Sequence, residues 1–166
     1  MAESLTSRIQ VSVSGALSNT LDLVTGLAAL TKSAALNLAN GTGAGKADMI
    51  WSDRRTLGDG VTEDIDVKAA LADAFGVAFT PAKIKALFIA ASTGNTTALT
   101  LFGDANSVPV LQTAATLLAA LNAGGMFLLA DPTGVTVTAA TGDIIQVANA
   151  AGAAATYDII IIGASA

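Results

Sequence analysis

Short segments in which apolar and polar residues alternate recur along most of this chain. In RIQVSVS, Ile9, Val11 and Val13 fall on one side of an extended backbone, and polar residues fall on the other. The segments EDIDV, TALTLFG, GMFLLA, GVTVTA, GDIIQVAN and TYDIIIIG follow, with Gly, Asn, Asp or Pro at their boundaries. Because successive side chains of a strand point to opposite faces, this period of two indicates strands joined by turns. The sequence predicts a mainly β fold, an antiparallel β-sandwich of jelly-roll type.

The last of these segments ends in a run that is apolar on both sides. Such a strand is typical of the middle of a sheet, where its own domain or a neighbour covers both faces. We expect DIIIIG to be a central strand, with Ile159 and Ile161 buried beside Phe88 and Phe127.

The segment KIKALFIAA begins with alternation and then becomes apolar on both sides. Its first residues predict that Lys83 and Lys85 point outward, with Ile84, Ala86 and Phe88 on the opposite side.

Two segments have helical spacing and are predicted to be short helices in connections. VKAALADAFG (67–76) places Ala and Leu on one side and ends in Gly, and LQTAATLLAALNAGG (111–125) ends in Asn and Gly. The Ala-rich stretch 27–39 fits either a helix or a strand. We expect residues 1–35 to form an N-terminal strand or arm packed on the same domain, and residues 36–166 to form the sandwich.

The composition excludes much catalytic and binding chemistry. Histidine and cysteine are both absent, which removes the usual general base, thiolate ligands and disulfides. Thirteen acidic residues outnumber eight basic ones, whereas nucleic-acid binding needs a basic stripe. The N-terminus lacks a signal pattern, and no apolar stretch is long enough to span a membrane. We expect no enzyme activity, no catalytic residue, no cofactor, no metal, and neither nucleic acid nor a membrane as partner.

The stretch NGTGAGKADMIWSDRRT (40–56) resembles a phosphate-binding loop at first sight. Such a loop needs a first glycine five residues before the Gly–Lys pair and a hydroxyl after the lysine. Asn40 and Ala47 occupy those positions around Gly45 and Lys46. We therefore expect this glycine loop to turn the chain without binding a nucleotide, its glycines supplying positive φ angles.

Two further features have both a functional and a structural interpretation. Asp59, Glu63, Asp64 and Asp66 supply oxygen ligands of the kind calcium prefers, but their spacing fits no EF-hand, so a solvated strand edge is favoured. Trp51 fits either an interface anchor or, more commonly, a core residue.

From about residue 36 to the C-terminus, the sequence resembles a family of small virion structural proteins of tailed bacteriophages and prophages. The resemblance lies in NGTGAGKADMIWSDRRTL, TEDIDV leading into ALADAFG, and AKIKALFIAASTGNTTALTL. It is strongest in GGMFLLADPTGVTVTAATGDIIQVANA and ATYDIIIIGASA. It implies a small β-sandwich component of the virion with no catalytic residue to assign. Residues 107–123 and 1–35 match least well.

Three functions remain open on the sequence. The first is a capsid decoration or cement protein on the outer head surface, bound to the major capsid protein. The second is a head-fibre, tail-tip or baseplate component bound to other virion proteins. The third is a glycan-binding or glycan-cleaving virion module, for which aromatic sugar platforms are few. We expect the first, as a homotrimer in the phage particle assembled in the host cytoplasm.

Overall fold

The computed structural model describes residues 4–69, 71–103, 105–109 and 117–166. Within these residues the chain is built from β-strands, and no α-helix occurs in them. The strands are β1 (Ser7–Thr20), β2 (Thr25–Asn40), β3 (Lys46–Ala47), β4 (Met49–Leu57), β5 (Thr62–Asp66), β6 (Lys83–Ala91), β7 (Leu99–Phe102), β8 (Leu117–Leu121), β9 (Met126–Thr136), β10 (Ile144–Asn149) and β11 (Ala155–Ala164).

Two four-stranded antiparallel sheets form the body of the protein. Their strand orders are β4–β11–β6–β9 and β5–β10–β7–β8. One apolar cluster draws side chains from both sheets, including Leu87 and Ile159 from the first and Leu101 and Ile145 from the second. The predicted mainly β sandwich is confirmed. The nested pairing of β4 with β11, β5 with β10, β6 with β9 and β7 with β8 fits a jelly roll, which stays a prediction.

Strand β11 is one of the two inner strands of the first sheet, as predicted. It pairs with β4 on one side and β6 on the other, and Ile159 and Ile161 are fully buried between the sheets. Phe127 packs against the same core, because it lies opposite Ile89, which in turn lies opposite Ile159. The placement of Phe88 in this core is wrong, because Phe88 pairs with Ile160 on the opposite face.

The predicted orientation of β6 fails after its second residue. Ile84 faces the core, but Leu87 faces it too, so the alternation changes phase between them. The register of β6 with β9 shifts at this point, where Ala86 pairs with Ala130 and Ile84 with Val135. Lys85 lies in the resulting bulge, where the carbonyls of residues 43, 132 and 133 surround its ammonium, and it is 1% exposed rather than solvated as predicted. A bulge reverses which residues face the core, which alternation alone does not reveal.

Neither predicted helix is present in the described residues. Residues 117–121 form strand β8, which pairs with β7, whereas residues 111–116 lie outside the described part. In 67–76, of which residue 70 is not described, the carboxylate of Asp73 accepts hydrogen bonds from the amides of Phe75 and Val77. Such local bonds compete with helical ones, and Ala72 instead forms a bridge with Ala78.

The first two strands form a long hairpin, here called the arm (residues 7–40). Its ladder runs without a break from the pair Ser7–Leu38 to the pair Thr20–Thr25. The amide of Leu21 donates to the carbonyl of Val24 in the turn, at 2.9 Å. The Ala-rich stretch is therefore a strand. The predicted boundary between residues 35 and 36 falls inside β2.

Candidate functional site

The arm has one apolar face and one polar face. Directly opposed residues of a hairpin share a face, so the register sorts the side chains. Ile9, Val11, Val13, Leu17, Ala28, Leu30, Ala34 and Leu36 lie on the apolar face, where Lys32 is the one charged residue. Serines, threonines, Arg8, Gln10 and Asn37 dominate the other face, which also includes Leu27. The arm is thus amphipathic in the manner of a strand pair that covers an apolar surface.

The base of the arm already covers such a surface. Leu38, Ala86 and Ile162 form a small buried cluster with Ala47, against which Ile9 and Leu36 pack. Ala86 and Ile162 lie on the outer face of the first sheet, away from the main core. The apolar face of the arm is therefore complementary to the outer face of its own body.

The rest of the arm projects without a partner in the described structure. In this free part (residues 13–32), Leu17 is 76% exposed and Leu30 is 70% exposed. Burying a side chain of this size contributes about 1.5–3 kcal/mol. A two-stranded hairpin alone is marginally stable in water. Contiguous apolar surface of this kind is typical of a protein–protein contact.

A second apolar surface remains uncovered beside the base of the arm. Phe88, Met126, Leu128 and Ile160 form this outer patch, on the same sheet face as Ala86 and Ile162. With residues 8–12 of the arm they line a groove of about 410 Å³. Met126 is 67% exposed.

Charge is distributed unequally between the arm and the body. The arm holds Arg8, Lys32 and Asp22, and Glu3 precedes it. The remaining 6 basic and 11 acidic residues lie after residue 40. The arm is thus slightly basic, with a net charge of +1, and the body is clearly acidic, with a net charge of −5.

The glycine loop joins the arm to the body. The amides of Gly41 and Gly45 donate to the carbonyls of Ala47 and Pro132, at 3.2 and 2.9 Å. The amide of Lys46 donates to the carbonyl of Gly43 within the loop. Each of these three amides thus donates to a backbone carbonyl, whereas a phosphate cradle needs loop amides that are free to donate to the anion. Gly41 and Gly45 have φ angles of 124° and 69°, as the turning role predicts.

Lys85 connects this loop to the body by hydrogen bonds, a role that the sequence did not reveal. Its Nζ donates to the carbonyls of Gly43 (3.4 Å), Pro132 (3.1 Å) and Thr133 (2.5 Å). Burial lowers the pKa of the Lys85 ammonium, with a smaller contribution from Lys83. Gly134 has φ +82°, and a Cβ there would lie 2.7 Å from Lys85 Cδ, so the bulged β9 closes tightly over the lysine.

The four acidic residues do not form a shared site. The carboxylate of Asp59 accepts from the amide of Gly152, and that of Asp64 accepts from Gln146 Nε2. Asp66 accepts from the amide of Lys68. In the described residues no three acidic side chains come together to hold a metal ion.

Glu63, the fourth, belongs to a network around Arg55. It accepts hydrogen bonds from Arg55 and from the hydroxyl of Tyr157, the latter at 2.9 Å. Burial and the neighbouring Glu63 raise the pKa of Tyr157 far above its ordinary value, so its proton stays in place. Arg55 also lies over the ring of Trp51, 5.4 Å from the centroid, and contacts Asp53. This network joins the edge strands β4 and β5 to β11.

Trp51 is a core residue. It is 6% exposed, and its ring centroid lies 6.4 Å from that of Phe79. The interpretation of Trp51 as an interface anchor is therefore wrong, because the side chain points between the sheets.

No helix in the described residues is long and apolar enough to cross a membrane. Comparison of the chain with protein families, with curated proteins and with solved structures finds no match in any of the three.

Proposed function

We propose that this protein is a structural subunit of a larger protein assembly. The observation that carries the proposal is the arm, whose apolar face is buried at its base and exposed along its free part. Keeping Leu17 and Leu30 in water has a free-energy cost that contact with another protein removes. A catalytic role has no comparable support from the geometry.

The resemblance to tailed-phage virion proteins gives the assembly a specific identity in this proposal. The protein is then a decoration or cement protein on the outer head surface, with the major capsid protein as its partner. The net charge of −5 suits the outside of a shell better than an interior that faces DNA. A head-fibre, tail-tip or baseplate component would use the same arm, and differs in copy number.

Copy number in purified particles tests this proposal. We expect the protein to copurify with particles through a density gradient, at hundreds of copies relative to the major capsid protein by quantitative mass spectrometry. A handful of copies per particle would indicate instead that the protein belongs to the tail or to a head fibre. Its absence from the particles, or release of oligosaccharide from host envelope by the purified protein, would refute the structural role.

A further inference from the structure

We propose that the outer patch of one molecule is the docking site for the free part of the arm of a second molecule of the same chain. The inference rests on the proposal that the protein is an assembly subunit, and it names the partner of the arm. Two apolar surfaces of one chain, the free part of the arm and the outer patch, are exposed in the same molecule.

Continuity with the contact inside the molecule supports this pairing. The base of the arm packs its apolar face on Ala86 and Ile162 of the outer sheet face. The outer patch continues that sheet face through Phe88 and Ile160, and the free part continues the arm's apolar face through Val13, Leu17 and Leu30. The contact between molecules would therefore extend the contact within one molecule. The free part of one arm would pack on the outer patch of the second molecule, as the base of each arm packs on Ala86 and Ile162 of its own body.

The dimensions also agree. The eight residues from Val13 to Thr20 extend roughly 26 Å at about 3.3 Å per residue. A sheet of four strands spaced about 4.8 Å apart is roughly 14 Å across between its outer strands. The free part is thus long enough to cross the whole outer face of a neighbouring β4–β11–β6–β9 sheet.

The edge of β1 borders the same groove. In the described residues β1 pairs with β2 alone, so its other edge presents unpaired amides and carbonyls. Residues 8–12 of that edge line the groove. An incoming strand in the groove can pair with this edge while its side chains contact the outer patch, as in strand addition to an exposed sheet edge.

The test introduces negative charges into each of the two apolar surfaces, with the full chain used throughout. The arm variant carries Leu17→Glu and Leu30→Glu. Its control carries Ser18→Glu and Thr31→Glu, which add the same charge to the polar face of the same segment. The patch variant carries Met126→Glu and Ile160→Glu.

Sedimentation velocity at tens of micromolar then measures the mass of each protein. We expect the wild-type and control proteins to be oligomeric, and the arm and patch variants each to be monomers of 16.4 kDa. An equimolar mixture of the two variants should form a dimer, because one partner retains an intact patch and the other an intact arm. A mixture that stays monomeric, or a patch variant that assembles like the wild type, would overturn the proposal.

Single cysteines give an independent measurement that does not depend on the folding of the patch variant. The chain has no cysteine of its own. Mixing Leu17→Cys with Met126→Cys under mild oxidation should yield the mixed disulfide dimer at several times the amount formed when Ser18→Cys replaces Leu17→Cys. Equal yields would contradict the docking.

Failure of this inference is distinct from failure of the proposed function. A wild-type protein that is monomeric alone but abundant in particles would overturn docking between copies and leave the structural role intact, with the arm covered by the capsid. Self-association through the arm without any presence in particles would support the docking and refute the virion role.

Discussion

A buried ammonium group needs acceptors for its protons, and Lys85 has three backbone carbonyls from two segments. Gly43 comes from the glycine loop, and Pro132 and Thr133 come from the bulge of β9. The lysine therefore connects the end of the arm to the body. Uncharged carbonyls compensate for lost water only in part, which is why burial lowers the pKa of Lys85.

We predict that Lys85→Met lowers the free energy of unfolding by about 1–3 kcal/mol, because the partly buried hydrogen bonds from its ammonium to the backbone carbonyls are lost. Pro132 keeps the amide of Gly45 as a donor and Gly43 keeps the amide of Lys46, so Thr133 loses most. Urea unfolding followed by the fluorescence of Trp51 measures the change. The control Lys83→Met removes a half-buried lysine two residues away and should cost less than about 0.5 kcal/mol. An unchanged or raised stability of Lys85→Met would mean that desolvation of the ammonium outweighs its hydrogen bonds.

The sequence predicted the residue types of the core better than their orientations. Ile159 and Ile161 lie where the alternation placed them, because no bulge interrupts β11 between them. Lys85 and Phe88 do not, because the bulge between Ile84 and Ala86 depends on how β9 folds over β6. A contact with a strand 40 or more residues away has no local signature in the sequence.

At the scale of the element, β11 shows how one strand serves two surfaces. Its residues alternate between the core of the sandwich and the outer sheet face. Ile161 is fully buried in the core, whereas Ile160 belongs to the outer patch and is 36% exposed. The run of four isoleucines in this strand (159–162) therefore reflects a core on one side and a contact surface on the other.

We predict that Ile161→Ala lowers the free energy of unfolding by about 2–5 kcal/mol, because it leaves a cavity between the sheets. Ile160→Ala removes the same atoms from the neighbouring residue and should cost less than about 1.5 kcal/mol in the monomer, since water already reaches that side chain. Chemical denaturation of both variants at low protein concentration checks the difference. Equal losses would show that the outer face is as tightly covered as the core.

The elements that the sequence missed are those that depend on a distant partner. The alternation in RIQVSVS correctly indicated the start of β1, but the Ala-rich stretch 27–39 had no decisive period. Its strand conformation follows from pairing with β1. Helical spacing in 117–121 was overridden by pairing with β7. The apolar face of the arm, and hence the candidate site, becomes visible only when the register of the two strands is known.

At the scale of the whole molecule, the arm and the outer patch are different surfaces, so docking one on the other is a head-to-tail contact. Repeated head-to-tail contacts close into a ring or continue as a filament, depending on the rotation between neighbours. A capsid offers three-fold positions, which a closed ring of three subunits matches. The acidic body and slightly basic arm make such a ring sensitive to salt as well as to protein concentration.

We predict that the purified protein is a homotrimer with a native mass three times the 16.4 kDa of the chain. Native mass spectrometry measures this directly. Because assembly stabilises the folded chain by mass action, the melting temperature should fall on tenfold dilution, and it should fall less for the arm variant Leu17→Glu with Leu30→Glu, which is already monomeric. The control Ser18→Glu with Thr31→Glu should follow the wild type. A stable monomer at micromolar concentration that also fails to bind assembled capsids would contradict the trimer. A melting temperature independent of protein concentration would show that contact between copies through the arm does not stabilise the folded chain.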